Sequence, residues 1–364
     1  MTRVRAKPTA MFVLNTIAVL WTVAWAARLV VIWSWSFAPP AARYDAARDL
    51  PPLPPPEENG WTVIAAMPED VLTRDRDWPA DDLDGSRTAV PSPAEIERVR
   101  PAVEAWTVPE ALVAEFDEAL ARPRFAVDCA PLAPCPVMSW VRATRIAWTL
   151  VVKDALAGRY TAAFERLERM LRAGRDAVTH AREVFAGMTA AMMTAQTIQL
   201  SVVIATILAR DEGVRASPRL LADVSAVERV LATLDPTSWS LETILIGDSL
   251  HERALIDVAA SGGHGCVRLA RTIEASDAYH EAAIAYARDP QHVQPPARVK
   301  PGWIWRTLDP VSALAVGAVG KDLTGVIRHF ERTRARAVNR IATARVALAE
   351  AHARVESAPE APLP

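Results

Sequence analysis

The stretch that decides the fold is VMSWVRATRIAWTLVVKDALAGRYTAAFERLERMLRA, residues 137–173. Apolar side chains recur in it at the three- and four-residue spacing that places them on one face of an α-helix. A tight turn at Gly158 separates two such segments, because glycine tolerates backbone angles that other residues avoid. The pattern predicts an antiparallel helical hairpin, with one helix over 137–156 and a second over 160–173.

Helical signals continue on both sides of this hairpin. Strong helix formers dominate the chain, and almost no segment shows the strict alternation of a strand. Ser92-Pro93 has the form of a helix start, and a break is expected at Pro101. Further helices are predicted over 108–121, 178–210, 218–233, 237–260 and 322–355. The fold class is therefore all-α, with one helical-hairpin or bundle domain over 92–356 and a disordered tail over 357–364.

The bulk composition excludes several classes of function. The chain has 364 residues and a net charge of −2, so no global charge attracts nucleic acid. Its 14 glycines argue against a glycine-rich nucleotide-binding fold. A Walker loop, a G-x-S-x-G elbow, an H-E-x-x-H pair and a dinucleotide fingerprint are all missing from the sequence. We therefore predict no cofactor, no metal and no nucleic-acid partner.

The N-terminus predicts a membrane anchor. Residues 1–9 carry three basic side chains and no acid, and no residue from Met11 to Ala27 is charged. About 20 apolar residues span a bilayer, and basic flanks favour the cytoplasmic side. We predict a cytoplasmic N-terminus over 1–9 and a transmembrane helix in contact with lipid over 10–37. The main domain would then be periplasmic, at the inner membrane of a bacterium.

Three alternatives to this topology stay open. Ala24-Trp25-Ala26 has the small-x-small form of a signal-peptide cleavage site, and the apolar stretch could also be a buried helix of a soluble protein. The uncharged segment 188–209 could be a second span, but its polar side chains favour a helix buried in a bundle. Between anchor and domain, the proline-rich segment 38–91 predicts an extended spacer and loop.

Cys129 and Cys135 flank a short loop that contains proline. Zinc sites and thioredoxin-like redox pairs need closer cysteine spacing, and a zinc site also needs a second ligand pair. A loop of five residues can close into a disulfide in an oxidising compartment. We therefore predict a structural disulfide, with two free thiols as the alternative.

Two small groups of residues are candidates for catalysis. Cys266 lies beside His264 in a glycine-rich turn, where an imidazole could serve as base for a thiol. Asp248, His251 and Glu252 lie near one helical face, and His280 repeats the His-Glu pairing, as in a carboxylate–histidine metal site. The alternatives are a helix-ending loop and solvated ion pairs, and we predict no catalytic residue.

The C-terminal helix carries a series of arginines with few acids between them. An amphipathic helix of this kind can bind anionic lipid, glycan or an acidic partner, or can simply present a charged outer face to water. The residues predicted to form a partner-binding or anionic-binding surface are Arg328, Arg332, Arg336 and Arg340.

Three segments carry a resemblance to other proteins: the hairpin segment 137–173, PPPEENGW (54–61) and RIATARVALAEAH (340–352). Together they resemble a group of uncharacterised bacterial membrane-anchored α-helical proteins with a tetratricopeptide-like hairpin. This resemblance implies an anchor, a helical hairpin domain and a C-terminal helix, and it implies no activity. The group's usual extension after the last helix is missing in this chain.

These observations predict a membrane-anchored extracytoplasmic scaffold or docking module that binds a protein partner in an envelope assembly, without catalysis. Stacked helical hairpins present surfaces suited to proteins and peptides. The alternative is an envelope enzyme, metal-dependent or hydrolytic, with a histidine–carboxylate pocket in the helical domain.

Overall fold

The computed structural model describes residues 16–28, 41–67, 91–129, 135–261, 269–296 and 323–359. Over these residues the fold is all-α, as predicted, with one isolated β-bridge. The helices are α1 (Thr16–Arg28), α2 (Ala46–Asp49), α3 (Gly60–Ala66), α4 (Pro93–Ala105), α5 (Glu110–Ala121), α6 (Val137–Leu156), α7 (Tyr160–Thr179), α8 (Val184–Arg210), α9 (Pro218–Thr233), α10 (Leu241–Ser261), α11 (Leu269–Arg288) and α12 (Leu323–Glu356), with a 3₁₀ turn at Pro236–Ser238.

The described residues fall into two compact units. The larger unit lies within 44–248 and 324–364, and the smaller lies within 1–43 and 249–323. The single domain expected from the sequence over 92–356 stays a prediction. Helices α10 and α12 each begin in one unit and end in the other.

Helices α6, α7 and α8 form the centre of the larger unit. Both hairpin helices are confirmed, and Gly158 has a φ of +73° in the turn between them. α7 packs against α6 and α8, and it buries Phe164, Leu167 and Leu171 completely. The hairpin therefore supplies the core on which α3, α5 and α9 pack.

Two predicted helix boundaries differ from the structure. The expected break at Pro101 is absent, because α4 runs through this proline and keeps it on an exposed face. The helix expected from residue 178 begins instead at Val184, where the Glu183 side chain accepts a hydrogen bond from the Ala186 N–H (2.8 Å). A side-chain cap of this kind fixes a helix start that periodicity alone leaves undefined.

The spacer predicted over 38–91 is partly folded. Its described residues contain α2 and α3, and they bury Leu50 and Trp61 in the larger unit. The Arg182 guanidinium donates a hydrogen bond to the Pro51 carbonyl, which ties the extended proline segment to the start of α8. The prolines keep this segment extended, and its apolar side chains still pack against the helices.

Asn59 joins the start of α3 to the chain that leaves α5. Its Oδ1 accepts hydrogen bonds from the Trp61 N–H (3.1 Å) and the Ala126 N–H (2.9 Å). Its Nδ2 donates to the Ala126 carbonyl (2.9 Å). The Trp61 ring then packs edge-on against Phe125 and Trp140. The Glu-Glu-Asn-Gly-Trp segment thus has a structural role that its sequence did not indicate.

Cys129 and Cys135 lie at disulfide distance, with their Cα atoms 5.0 Å apart. The segment between them falls outside the described residues. Cys129 directly follows the segment that Asn59 and Trp61 hold through Ala126 and Asp128, and Cys135 comes just before α6. The pair therefore lies where a covalent link would fix the entry of the hairpin.

Two helices bear on the membrane prediction. Among the described helices, α8 alone is long and apolar enough to cross a membrane, but 83% of its most apolar window is buried inside the protein. α1 is shorter as described, and the rest of the predicted anchor over 10–37 lies outside the described residues. In α1 the apolar side chains are exposed on every side, with Leu20 63% and Trp21 67% exposed.

Candidate functional site

The exposed side of α12 is the most continuous candidate surface in the larger unit. Eight of its exposed positions follow one another at alternating intervals of four and three residues, which keeps them in one line along the helix. We call this line the outer face; it consists of Arg328, Arg332, Ala335, Asn339, Ala342, Val346, Ala349 and Ala353. The opposite side of α12 is buried, with Phe330 and Leu348 fully covered.

The C-terminal half of the outer face borders a groove of about 820 Å³ between α12 and the end of α8. Alanines lie on both sides of the groove, on α8 and on α12, and the charged residues Arg210, Glu350 and Arg354 also line it. Val346 also lines this groove and is 62% exposed. The alanines let another backbone approach closely, and the valine supplies apolar area to a bound segment.

Charge is distributed unevenly along this surface. Arg328, Arg332 and Arg336 are exposed near the start of α12, and within the described residues none of the three has an ion-pair partner. Glu350 is exposed near the other end, at the groove. The outer face is therefore basic at one end, at Arg328 and Arg332, and apolar at the other end, where Glu350 lies beside it.

Two other arginines of α12 hold the helix in place. Arg340, which the sequence grouped with the binding surface, is half-buried and donates through Nη1 to the Ala195 carbonyl (2.9 Å). Arg354 donates through Nε (3.2 Å) and Nη2 (2.9 Å) to the Asp211 carbonyl. Both contacts fix α12 against α8 and leave the outer face open.

A second cluster lies in the smaller unit, where Glu252 of α10 meets α11. Glu252, Ser276 and His280 are all buried. The Ser276 hydroxyl donates to Glu252 Oε2 (3.1 Å), and His280 Nε2 lies 3.8 Å from the same oxygen. His280 Nδ1 lies 2.9 Å from the Ser276 carbonyl, so a proton on Nδ1 leaves the Nε2 lone pair directed toward Glu252.

The sequence also grouped His251, Asp248, His264 and Cys266 as candidate site residues. His251 is half-buried, and Asp248 uses its Oδ1 to accept a hydrogen bond from the Val184 N–H (3.2 Å). Beside the cluster, burial raises the pKa of Asp277, and the Arg253 guanidinium at 3.2 Å opposes that rise. His264 and Cys266, the predicted thiol–imidazole pair, lie outside the described residues.

The sequence pointed to the arginines of α12 but not to the other residues of the outer face. The alternating four- and three-residue intervals are visible in the sequence, but two such lines run along α12. Only the packing tells which of them is buried. Comparisons of this chain with protein-family models, with curated proteins and with solved structures returned no match.

Proposed function

We propose that this protein is a single-span, membrane-anchored docking module whose outer face receives an α-helix of a protein partner. The single observation that carries the proposal is the continuous exposed line on α12, with arginines at one end and an alanine-lined groove at the other. A helix that presents acidic side chains toward the arginines and apolar side chains toward the groove would match both ends.

The contrast between α1 and α8 supports the anchor. A helix that is apolar on every side is stable either inside a protein or in a lipid bilayer. α8 satisfies the first condition, because the protein itself buries it. α1 leaves Leu20, Trp21 and Val23 exposed, and an apolar surface of that kind would be stabilised by contact with lipid. The proposed location of the domain outside the cytoplasm follows from the basic residues before this helix.

Site-specific photo-crosslinking in membranes tests the proposal. With a benzoyl-phenylalanine at position 346, we expect one discrete adduct in membranes washed with alkaline carbonate. The same probe at the exposed Ala114 of α5 should give none. Reversal of Arg328, Arg332 and Arg336 to glutamate should abolish the adduct, because an acidic helix would then be repelled.

Two results would count against this function. If positions 346 and 114 give the same pattern of adducts, the outer face is not a docking surface. If alkaline carbonate removes the full chain from the membrane, the predicted anchor is wrong.

Glu252 and His280 favour a second candidate function, the binding of a divalent metal ion. Two ligand atoms that each lie about 2.1 Å from one ion are at most about 4.2 Å apart. The observed 3.8 Å between Glu252 Oε2 and His280 Nε2 fits that limit. Metal-binding histidines commonly donate their other ring N–H to a backbone carbonyl, as the Ser276 carbonyl allows here.

Metal content of the purified full chain tests this candidate. After incubation with zinc alone and dialysis, we expect about one zinc per chain by elemental analysis. His280→Gln should lose it, whereas His292→Gln, which changes an exposed histidine in the same unit, should keep it. Equal zinc in the two variants, or none in the parent chain, would exclude the site.

A further inference from the structure

We infer that the helix received by the outer face is α12 of a second copy of this chain, paired antiparallel about a twofold axis. This inference rests on the proposed function and names its partner. A twofold contact requires a surface that is complementary to itself. The outer face meets that requirement, because Arg328 and Arg332 lie on one side of its midpoint and Glu350 lies beside its other half.

The spacing of the outer face fixes one register. Positions at alternating intervals of four and three residues form the seam of a two-helix coiled coil, and an antiparallel pair matches each with one position on the other helix. When Asn339 lies opposite Ala342 of the partner subunit, Ala335 lies opposite Val346 of the partner subunit. Small side chains then face larger ones along the seam, as close packing requires.

The same register brings opposite charges together. Arg332 lies opposite Ala349 of the partner subunit, and Glu350 of the partner subunit follows directly beside it. The twofold axis produces this arginine–glutamate contact twice. Arg332 and Glu350 have no ion-pair partner within the described part of their own chain, so both are available for it. A parallel pair would instead place the arginines of both copies together, where like charges repel.

Three further features favour a second copy. The outer face from Arg328 to Ala353 extends for about 38 Å at 1.5 Å per residue, enough for several turns of contact. Asn339 lies near the centre of the seam, and a single asparagine there is a known determinant of register. Two chains anchored in one membrane also meet at a raised effective concentration, which lowers the affinity that the contact must supply.

Charge reversal in the full chain tests the inference. We would measure self-association by sedimentation in detergent for Arg332→Glu, for Glu350→Arg and for the two combined. Each single reversal places like charges together twice, so we expect the dissociation constant of the dimer to rise at least tenfold. The combined variant restores opposite charges and should return to within about threefold of the parent chain.

Matched controls separate this effect from a change in net charge. Arg229→Glu on α9 and Glu115→Arg on α5 alter exposed residues away from the outer face and should leave the dimer unchanged. A parent chain that stays monomeric, or a combined variant as weak as the single ones, would overturn the inference. If the dimer is absent but position 346 still crosslinks to a different protein, the docking function holds and only the inference about its partner is wrong. If the dimer is absent and no adduct forms, the docking function is wrong as well.

Discussion

Asn59→Ala should lower the free energy of unfolding by about 4 kcal/mol. The change removes a helix cap at the Trp61 N–H, worth about 1 kcal/mol. It also leaves the N–H and the carbonyl of Ala126 without their partners, in a residue that is completely buried. A buried polar group left unpaired costs about 1–3 kcal/mol, so the two groups supply the larger part of the loss.

Chemical denaturation of the full chain in mild detergent, followed by circular dichroism, would measure this loss. Asn59→Asp keeps the Oδ1 acceptor but turns a second oxygen toward the Ala126 carbonyl, so we expect about half the effect. Glu58→Ala changes the exposed neighbour and should stay within about 0.5 kcal/mol of the parent chain. A loss below about 1 kcal/mol for Asn59→Ala would show that water replaces the missing hydrogen bonds.

The role of Asn59 marks the point at which prediction from this sequence stops. Periodicity located the hairpin, because each of its helices has enough turns for apolar positions to recur. Periodicity did not predict the position of residues 122–129, which lead from α5 toward the hairpin. That segment is held by single hydrogen bonds between residues far apart in the chain. Contacts of this kind leave no local pattern, and the Glu-Glu-Asn segment therefore pointed to a spacer.

The candidate surfaces show the same division. Composition identified the α12 arginines as a group, but Arg340 differs from the others only through the Ala195 carbonyl that it meets in the fold. Glu252 and His280 lie on different helices, and no spacing in the sequence relates them. The sequence placed both His251 and His280 with Glu252 in one candidate site, whereas the structure buries Glu252 and His280 and leaves His251 half-buried. Packing decided which member of each pattern became buried.

The structural roles of two glycines could not be predicted from the sequence either. Gly187 and Gly247 allow α8 and α10 to approach each other closely in the larger unit. A Cβ on Gly187 would lie 2.6 Å from the Ile244 side chain. A Cβ on Gly247 would overlap the Arg182 carbonyl oxygen and lie 2.6 Å from its carbonyl carbon. A side chain such as Ile244 can rotate away, but backbone atoms cannot move without displacing the start of α8.

Gly247→Ala should therefore destabilise the protein by about 3 kcal/mol, the upper part of the usual range for overpacking. The sign of the change in the free energy of unfolding distinguishes the two cases, because alanine in place of glycine inside an unobstructed helix stabilises a protein by about 1 kcal/mol. Gly213→Ala is the matched control: it lies in an exposed turn where a Cβ would meet only the Asp211 side chain, at 3.2 Å, and no backbone atom. It should change stability by less than about 0.5 kcal/mol. If Gly247→Ala instead raised the denaturation midpoint, the close approach of α10 to the Arg182 backbone would be wrong.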